Sequence, residues 1–470
     1  MDGSAVVKYN ARYVFAISIV AALGGLLFGY DWVVIGGAKP FYEKFFYLNT
    51  GQQVGWANSC ALLGCLLGSI AAGGAGDRFG RKKLLIASAA LFAVSSIFTG
   101  WAQTFTEFVC WRIAGGVAIG IASNISPVYI AEVSPAKWRG RLVALNQLTI
   151  VIGILTAQLV NWGIARPVPA SATAEMIRLS WNGQFGWRWM FTAVAVPSLV
   201  FFAGALAVPD SPRWLLARGI TESARRTLER IGGKAYADRE IDQIERSLHE
   251  QPSQKWRELL NARILGVLVT GILLAVLQQW SGINVIFNYA EEIYRAAGYG
   301  VSDILFNIVI TGTINLVFTL VALGFVDRFG RRVLMLAGCA GIALSHLLLG
   351  FAFASDVKGL PVLIVTLATI ACYAMSLAPV TWVLIAEIFP NGIRGAAVSI
   401  AVSALWIACF LVTFTFPVLN RALGSAGTFW LYSAVCAAGF VFVWLRVPET
   451  KGKTLEEIEQ ATRETGQLSG

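Results

Sequence analysis

The chain has 470 residues, 56% of them apolar and only 14% charged. A soluble domain carries nearer 25% charge, so the composition excludes an ordinary soluble protein and leaves a polytopic membrane protein. The net charge of +10 does not mark a nucleic-acid binder, because Lys and Arg are spread through short connectors between apolar runs, the positive-inside pattern.

Crossing a bilayer takes about 20 apolar residues. Spans are predicted near 13–38, 53–75, 84–103, 106–130, 142–164 and 187–208, then near 264–290, 303–325, 333–354, 360–386, 396–419 and 427–446. The first run is too long for a signal-peptide core and reads as a retained helix. Connectors after the second, fourth, eighth and tenth spans are basic, with Arg78, Arg81, Lys82 and Lys83, then Lys137, Arg139 and Arg141, then Arg328, Arg331 and Arg332, then Arg394. The other connectors are poorer in positive charge, although Arg166, Arg178 and Arg188 blur the contrast. Both termini are therefore expected on the cytoplasmic side of a cell membrane.

Between Pro209 and Asn261 the chain turns polar, and Ala224–Arg230 and Ile241–Arg246 read as short amphipathic cytoplasmic helices. This divides the chain into a six-helix half (1–208), a linker (209–262), a second six-helix half (263–447) and a tail (448–470). The halves repeat. Asp77-Arg78-Phe79-Gly80-Arg81 recurs as Asp327-Arg328-Phe329-Gly330-Arg331. Ile130-Ala131-Glu132 with Arg139-Gly140 recurs as Ile385-Ala386-Glu387 with Arg394-Gly395, and Pro209-Asp210-Ser211 as Pro448-Glu449-Thr450. Three echoes in one order point to a parallel duplication around a midplane site, a transporter plan.

The stretch Gln278-Gln279-Trp280-Ser281-Gly282-Ile283-Asn284 interrupts the seventh span. Amides inside an apolar run are functional candidates, yet on a regular helix Gln279 and Asn284 would lie roughly 100° and 240° from Gln278. Either the amides point three ways, or the helix loosens at Ser281-Gly282 and they converge. Asp31 and Arg112 are the sharpest charged pair. An ion at mid-span costs roughly 2.5–3.5 kcal/mol on insertion scales, and counting residues from either side brings both to similar depth in the outer half. Burial and a nearby arginine act in opposite directions on an aspartate's hold on a proton. A contact made and broken during transport would therefore couple proton uptake to the cycle; a purely structural ion pair is the alternative.

At these motifs, together with Pro209–Leu215 (Pro-Asp-Ser-Pro-Arg-Trp-Leu) and Pro448–Thr454 (Pro-Glu-Thr-Lys-Gly-Lys-Thr), the chain resembles the sugar porter family of the major facilitator superfamily over nearly its whole length. The likeness is greatest to the family's bacterial sugar–proton symporters, with facilitative glucose carriers as cousins. It implies an all-α membrane protein with the major facilitator fold, twelve helices in two halves that rock about a central sugar site. By the same resemblance the sugar-binding amides are Gln147, Gln278, Gln279, Asn284 and Asn315, and the stacking aromatics are Trp382 and Trp406. Asp31 with Arg112 couples the proton, since the facilitative carriers have Asn at the first position. Arg81, Glu132, Arg139, Arg331, Glu387 and Arg394 resemble the family's cytoplasmic charge network, which clamps the inner side when the site faces out. Leu405 stands where a bacterial symporter has Gln, Cys409 where Asn is usual, Asn288 where Tyr is common and Ile154 where a symporter has Gln, so pentose, hexose and polyol all stay open.

The expected function is thus proton-coupled import of a monosaccharide by a chain working as a monomer in the lipid bilayer. A facilitative uniporter and a transport-inactive sugar receptor are the alternatives. No cofactor, metal or nucleic acid is expected. The seven cysteines lie singly in apolar runs without a Cys-x-x-Cys, and there are two histidines, His249 and His346. Gly452-Lys453-Thr454 lacks the earlier glycine of a phosphate loop. Gly64-x-x-x-Gly68 and Gly116-x-x-x-Gly120 read as close helix packing. No nucleophile–base constellation suggests an enzyme.

Overall fold

The computed structural model describes residues 9–169, 171–249, 262–389, 394–449 and 451, excluding the side chains at 249, 262–264, 326, 327, 386, 394 and 395. The first half comprises α1 (Ala11–Phe45), α2 (Gly51–Phe79), α3 (Arg81–Trp101), α4 (Phe105–Val133) and α5 (Ala136–Ile164). After the short α6 (Ala174–Leu179) comes a sixth passage made of a π-helical turn (Asn182–Gly186), α7 (Trp187–Thr192) and α8 (Ala195–Ala207). The linker folds as α9 (Pro212–Ala217), α10 (Thr221–Gly232) and α11 (Lys234–His249). The second half comprises α12 (Ala262–Trp280), α13 (Ile283–Asn288), α14 (Ala290–Ala296), α15 (Val301–Phe329), α16 (Arg331–Ala354), α17 (Leu360–Met375), α18 (Leu377–Glu387) and α19 (Arg394–Arg446).

Eleven described stretches are long and apolar enough to cross a membrane. The eleventh contains two passages: α19 runs 53 residues with a non-helical break at Gly424 (φ 69°, ψ 171°). At 1.5 Å per residue it would otherwise reach about 80 Å, more than twice a hydrocarbon core. Two passages there bring the total to the twelve expected.

Within the first half the helices pack backbone to backbone. A Cβ on Gly64 or Gly68 of α2 would fall 2.1 or 2.3 Å from the carbonyl of Ile113 or Val117 on α4. In return, a Cβ on Gly116 or Gly120 of α4 would fall 1.9 or 2.2 Å from the carbonyl of Ala61 or Cys65. Only glycine permits this approach, and where lipid replaces water such packing drives association.

The sequence repeat is a structural repeat at the face that carries α9–α11, called here the linker face. Gly80 and Gly330, both at φ 92°, end α2 and α15 and turn the chain into α3 and α16. Neither new helix has a capping side chain of its own. The acid of each later motif caps it instead. Asp210 Oδ1 accepts from the Arg81 and Lys82 amides at 3.1 and 3.3 Å, and Glu449 accepts from the Arg331 and Arg332 amides at 2.9 and 3.1 Å. A carboxylate there meets both the unpaired N–H groups and the positive end of the helix dipole. The ends of α2 and α15 are closed in parallel: Arg218 donates to the Asp77 and Arg78 carbonyls, and Lys451 to that of Arg328.

Arg188 is not a connector charge. It is buried and donates to the Gly100 and Ala102 carbonyls at 2.9 and 2.7 Å, closing the end of α3.

Candidate functional site

The seventh passage breaks where the amides sit. α12 ends at Trp280, Gly282 takes the left-handed conformation (φ 82°, ψ −1°), and α13 starts at Ile283. The break turns Asn284 back towards the preceding turn. Its Nδ2 donates to Gln279 Oε1 and lies 3.3 Å from Cys409 Sγ, while Gln279 Nε2 donates to Gln278 Oε1 at 3.4 Å. Gln278 Nε2 in turn reaches the Leu377 and Ala378 carbonyls at 3.2 and 3.4 Å, beside the junction of α17 and α18. All three amides are buried. Of the two arrangements open from the sequence, the loosened helix is the one observed, and it gathers three amides and a thiol into one chain of donors and acceptors.

Asp31 on α1 and Arg112 on α4 meet in the interior. Nη1 donates to both carboxylate oxygens at 2.9 Å, with Nη2 3.5 Å from the Asp31 carbonyl. Asp31 is 4% and Arg112 3% exposed, so the pair is shielded from bulk water. Phe191 lies 5.5 Å beneath the guanidinium, and a Cβ on Gly115 would come 3.9 Å from Asp31 Oδ2. An ion pair this deep is held by geometry: neither member can lose the other without leaving a bare charge in low dielectric.

The other expected contacts are spread more widely. Trp406 on α19 is buried, its rings 5.9 Å from Phe28 and 6.2 Å from Trp32 of α1, and its indole Nε1 has no partner among the described residues. Asn315 is buried on α15, Gln147 is half-buried on α5, and Trp382 on α18 is 38% exposed. Among the described residues, none of these three bonds to the amide chain of the break. At the linker face Arg81 donates to Glu132 at 3.0 Å and Arg331 to Glu387 at 3.5 Å. Arg139 Nε turns to the Ala131 carbonyl at 3.1 Å. The side chain of Arg394 lies outside the described residues.

The sequence pattern of the family described as "Sugar (and other) transporter" matches residues 17–462. The chain belongs to this family. It is therefore a multi-pass membrane transporter and not an enzyme. It is 39% identical to the D-xylose-proton symporter of Escherichia coli (strain K12) over 483 aligned positions, covering 96% of each chain. It is 41% identical to the glucose transport protein of Synechocystis over 462, covering 96% of this chain and 97% of the other. Among solved structures, the inward-open conformation of the E. coli xylose transporter superposes with a TM-score of 0.84 at 38% identity, covering 95% of this chain and 99% of that one.

Two features of this family member escaped the sequence reading. The first is Gln158. It is 1% exposed, and neither its Nε2 nor its Oε1 has a partner among the described residues. Its Oε1 faces Gly312 of the opposite half so closely that a Cβ there would stand 1.8 Å away. Gln158 lies one turn beyond Ile154, hence on the same face of α5. The departure at Ile154 therefore does not remove the amide from that face. A buried amide with no partner among the described residues, at the junction of the halves, is the arrangement a polar ligand would satisfy.

The second is a buried charge cluster at the face opposite the linker. Lys39 of α1, 1% exposed, lies 3.0 Å from Glu43 and 3.5 Å from Glu291, and pairs with Glu292; Arg295 pairs with Glu291. Glu291 and Glu292 belong to α14, so the cluster ties one half to the other. Further links between the halves run alongside. Arg421 donates to the Asn49 carbonyl at 3.0 Å, the Val168 amide donates to Ser302 at 3.1 Å, and a Cβ on Gly36 would meet the Phe287 carbonyl at 2.7 Å. The Arg81–Glu132 and Arg331–Glu387 contacts at the linker face, by contrast, each join helices of one half.

Proposed function

We propose that this transporter imports a monosaccharide together with protons by alternating access, as a monomer in the cell membrane with both termini cytoplasmic. The observation that carries the coupling is the buried Asp31–Arg112 pair. The carboxylate accepts two hydrogen bonds from one guanidinium nitrogen, and protonating it removes the charge that holds Arg112. That change alters the packing of α1 against α4. Since α1 also carries Phe28 and Trp32 against Trp406, and Lys39 against α14, a shift of α1 reaches both the sugar site and the seal between the halves. The D-xylose-proton symporter of E. coli supports the same reading.

In this reading Gln278, Gln279, Asn284 and Asn315 of the second half and Gln158 and Gln147 of the first hold the sugar's hydroxyls, because an amide both donates and accepts. Trp406 and Trp382 offer aromatic faces to its C–H surface. With the linker face cytoplasmic, the links at the opposite face close the site to the outside, and the conformation is inward-facing. Arg81, Glu132, Arg139, Arg331, Glu387 and Arg394 form the cytoplasmic charge network that clamps the inner side when the site faces out. Asp31→Asn tests the coupling. Sugar counterflow should persist while accumulation driven by an inward proton gradient disappears; accumulation at the wild-type level would remove Asp31 from the mechanism.

A further inference from the structure

The break that gathers the amides also strands a backbone carbonyl. In an unbroken helix the Val285 amide would donate to the Ser281 carbonyl; here it donates to Gly282 at 3.1 Å. A carbonyl unpaired inside a membrane bundle costs several kcal/mol. The residue that pairs it comes from a different helix. His346 of α16, fully buried, places Nε2 2.8 Å from the Ser281 carbonyl, with Cys436 Sγ at 3.7 Å as a weaker neighbour. A carbonyl can only accept, so the imidazole hydrogen sits on Nε2. The ring is fixed between Phe429 and Tyr432, centroids 5.5 and 6.0 Å away, and Nε2 would be 2.9 Å from a Cβ on Gly282.

We propose that His346 is a positioning residue for sugar recognition. Its Nε2–H holds the Ser281 carbonyl in the broken geometry and so fixes the angle at which Asn284 returns to Gln279 and Gln278. The inference rests on the reading of those three amides as sugar ligands. Fixing the break before the sugar arrives removes an ordering penalty from binding. Without the imidazole the segment is free to sample other backbone arrangements, and binding has to order it. The effect is on affinity, not on the rocking of the halves.

The test is equilibrium binding to His346→Leu, His346→Gln, His346→Asn and Gln278→Ala of whichever labelled ligand among xylose, glucose, galactose, arabinose and inositol the purified wild-type transporter binds most tightly. His346→Leu should raise Kd about tenfold, the size expected when one buried hydrogen bond is lost, with sites per folded molecule and exchange rate at saturating sugar unchanged. Gln carries its amide nitrogen to the place of Nε2 and should stay within about twofold of wild type; Asn carries it to the place of Nδ1 and should not. If His346→Leu fails to fold, the Gln–Asn contrast decides. Wild-type affinity in the Leu or Asn variant, or equal loss with Gln and Asn, overturns the positioning role. When Gln278→Ala still weakens binding in that case, the sugar site stands. Unaltered binding in Gln278→Ala, or none in wild type, overturns the sugar site and His346's role together.

Discussion

At the scale of the residue, the proposed function rests on polar groups placed where only another polar group can answer them. Asp31 and Arg112 answer each other, while Gln158 and the Trp406 indole have no protein partner among the described residues. Removing a buried amide that has no partner takes away a desolvation penalty and no hydrogen bond. Gln158→Ala should therefore leave the thermal stability of the sugar-free protein unchanged or slightly raised, yet increase the transport Km about tenfold. A drop in stability with Km unchanged would make it a packing residue. Gly282 is held at φ 82° against His346, where a side chain costs about 1–2 kcal/mol of backbone strain plus the displacement of the imidazole. Gly282→Ala should lower both sugar affinity and melting temperature; melting at the wild-type temperature would contradict the tightness of the break.

Charges inside apolar runs were legible in the sequence, and so was the interruption of the seventh span. Gln158 was not, because one amide in an apolar helix reads like any other and only three-dimensional packing shows which lacks a partner. His346 stood out only as too few histidines for a metal, since its partner is a backbone carbonyl 65 positions earlier.

At the scale of the element, the recurring motifs are explained by helix ends. Asp210 and Glu449 each accept two amides at the start of a helix that begins at a positive-φ glycine and has no cap of its own. Loss of a helix cap costs about 0.5–2 kcal/mol. Asp210→Ala should therefore lower the melting temperature by a few degrees, at roughly 2–4 °C per kcal/mol for a domain of this half's size. Asp210→Asn, which keeps one acceptor oxygen, should recover part of the loss. Equal melting temperatures for all three proteins would remove the capping role. The spans were readable because each apolar run is bounded by charge or glycine. The last two appear as one continuous helical stretch because only Gly424 leaves helical geometry between them. Whether the seventh passage stayed straight was not readable, since the Ser281-Gly282 pair permits a break without demanding one.

At the scale of the whole molecule, the cross-half contacts named among the described residues lie at the face opposite the linker. Lys39 falls just past the expected end of the first span, where a flanking lysine is ordinary; the structure carries α1 on to Phe45 and buries the ammonium among Glu43, Glu291 and Glu292. Replacing Lys39 by Met leaves these carboxylates to repel one another, and breaking a buried ion cluster in this way costs about 3–5 kcal/mol. A shift of that size is enough to invert a two-state population. Lys39→Met should therefore expose cysteines placed at Phe287 and Asn288, which are buried against Gly36 of α1, to an impermeant thiol reagent on the outside. Labelling at the wild-type level would mean the cluster does not hold the face closed.

The proposed coupling runs through all three scales, from one carboxylate, through α1, to the rocking of the halves. It is tested most directly by uptake into proteoliposomes under an imposed inward proton gradient, across labelled xylose, glucose, galactose, arabinose and inositol. Accumulation above equilibrium that collapses on adding a protonophore is the expected result, and it identifies the substrate at the same time. Equilibration without accumulation would contradict coupling, reduce Asp31–Arg112 to a structural pair and make the protein a uniporter.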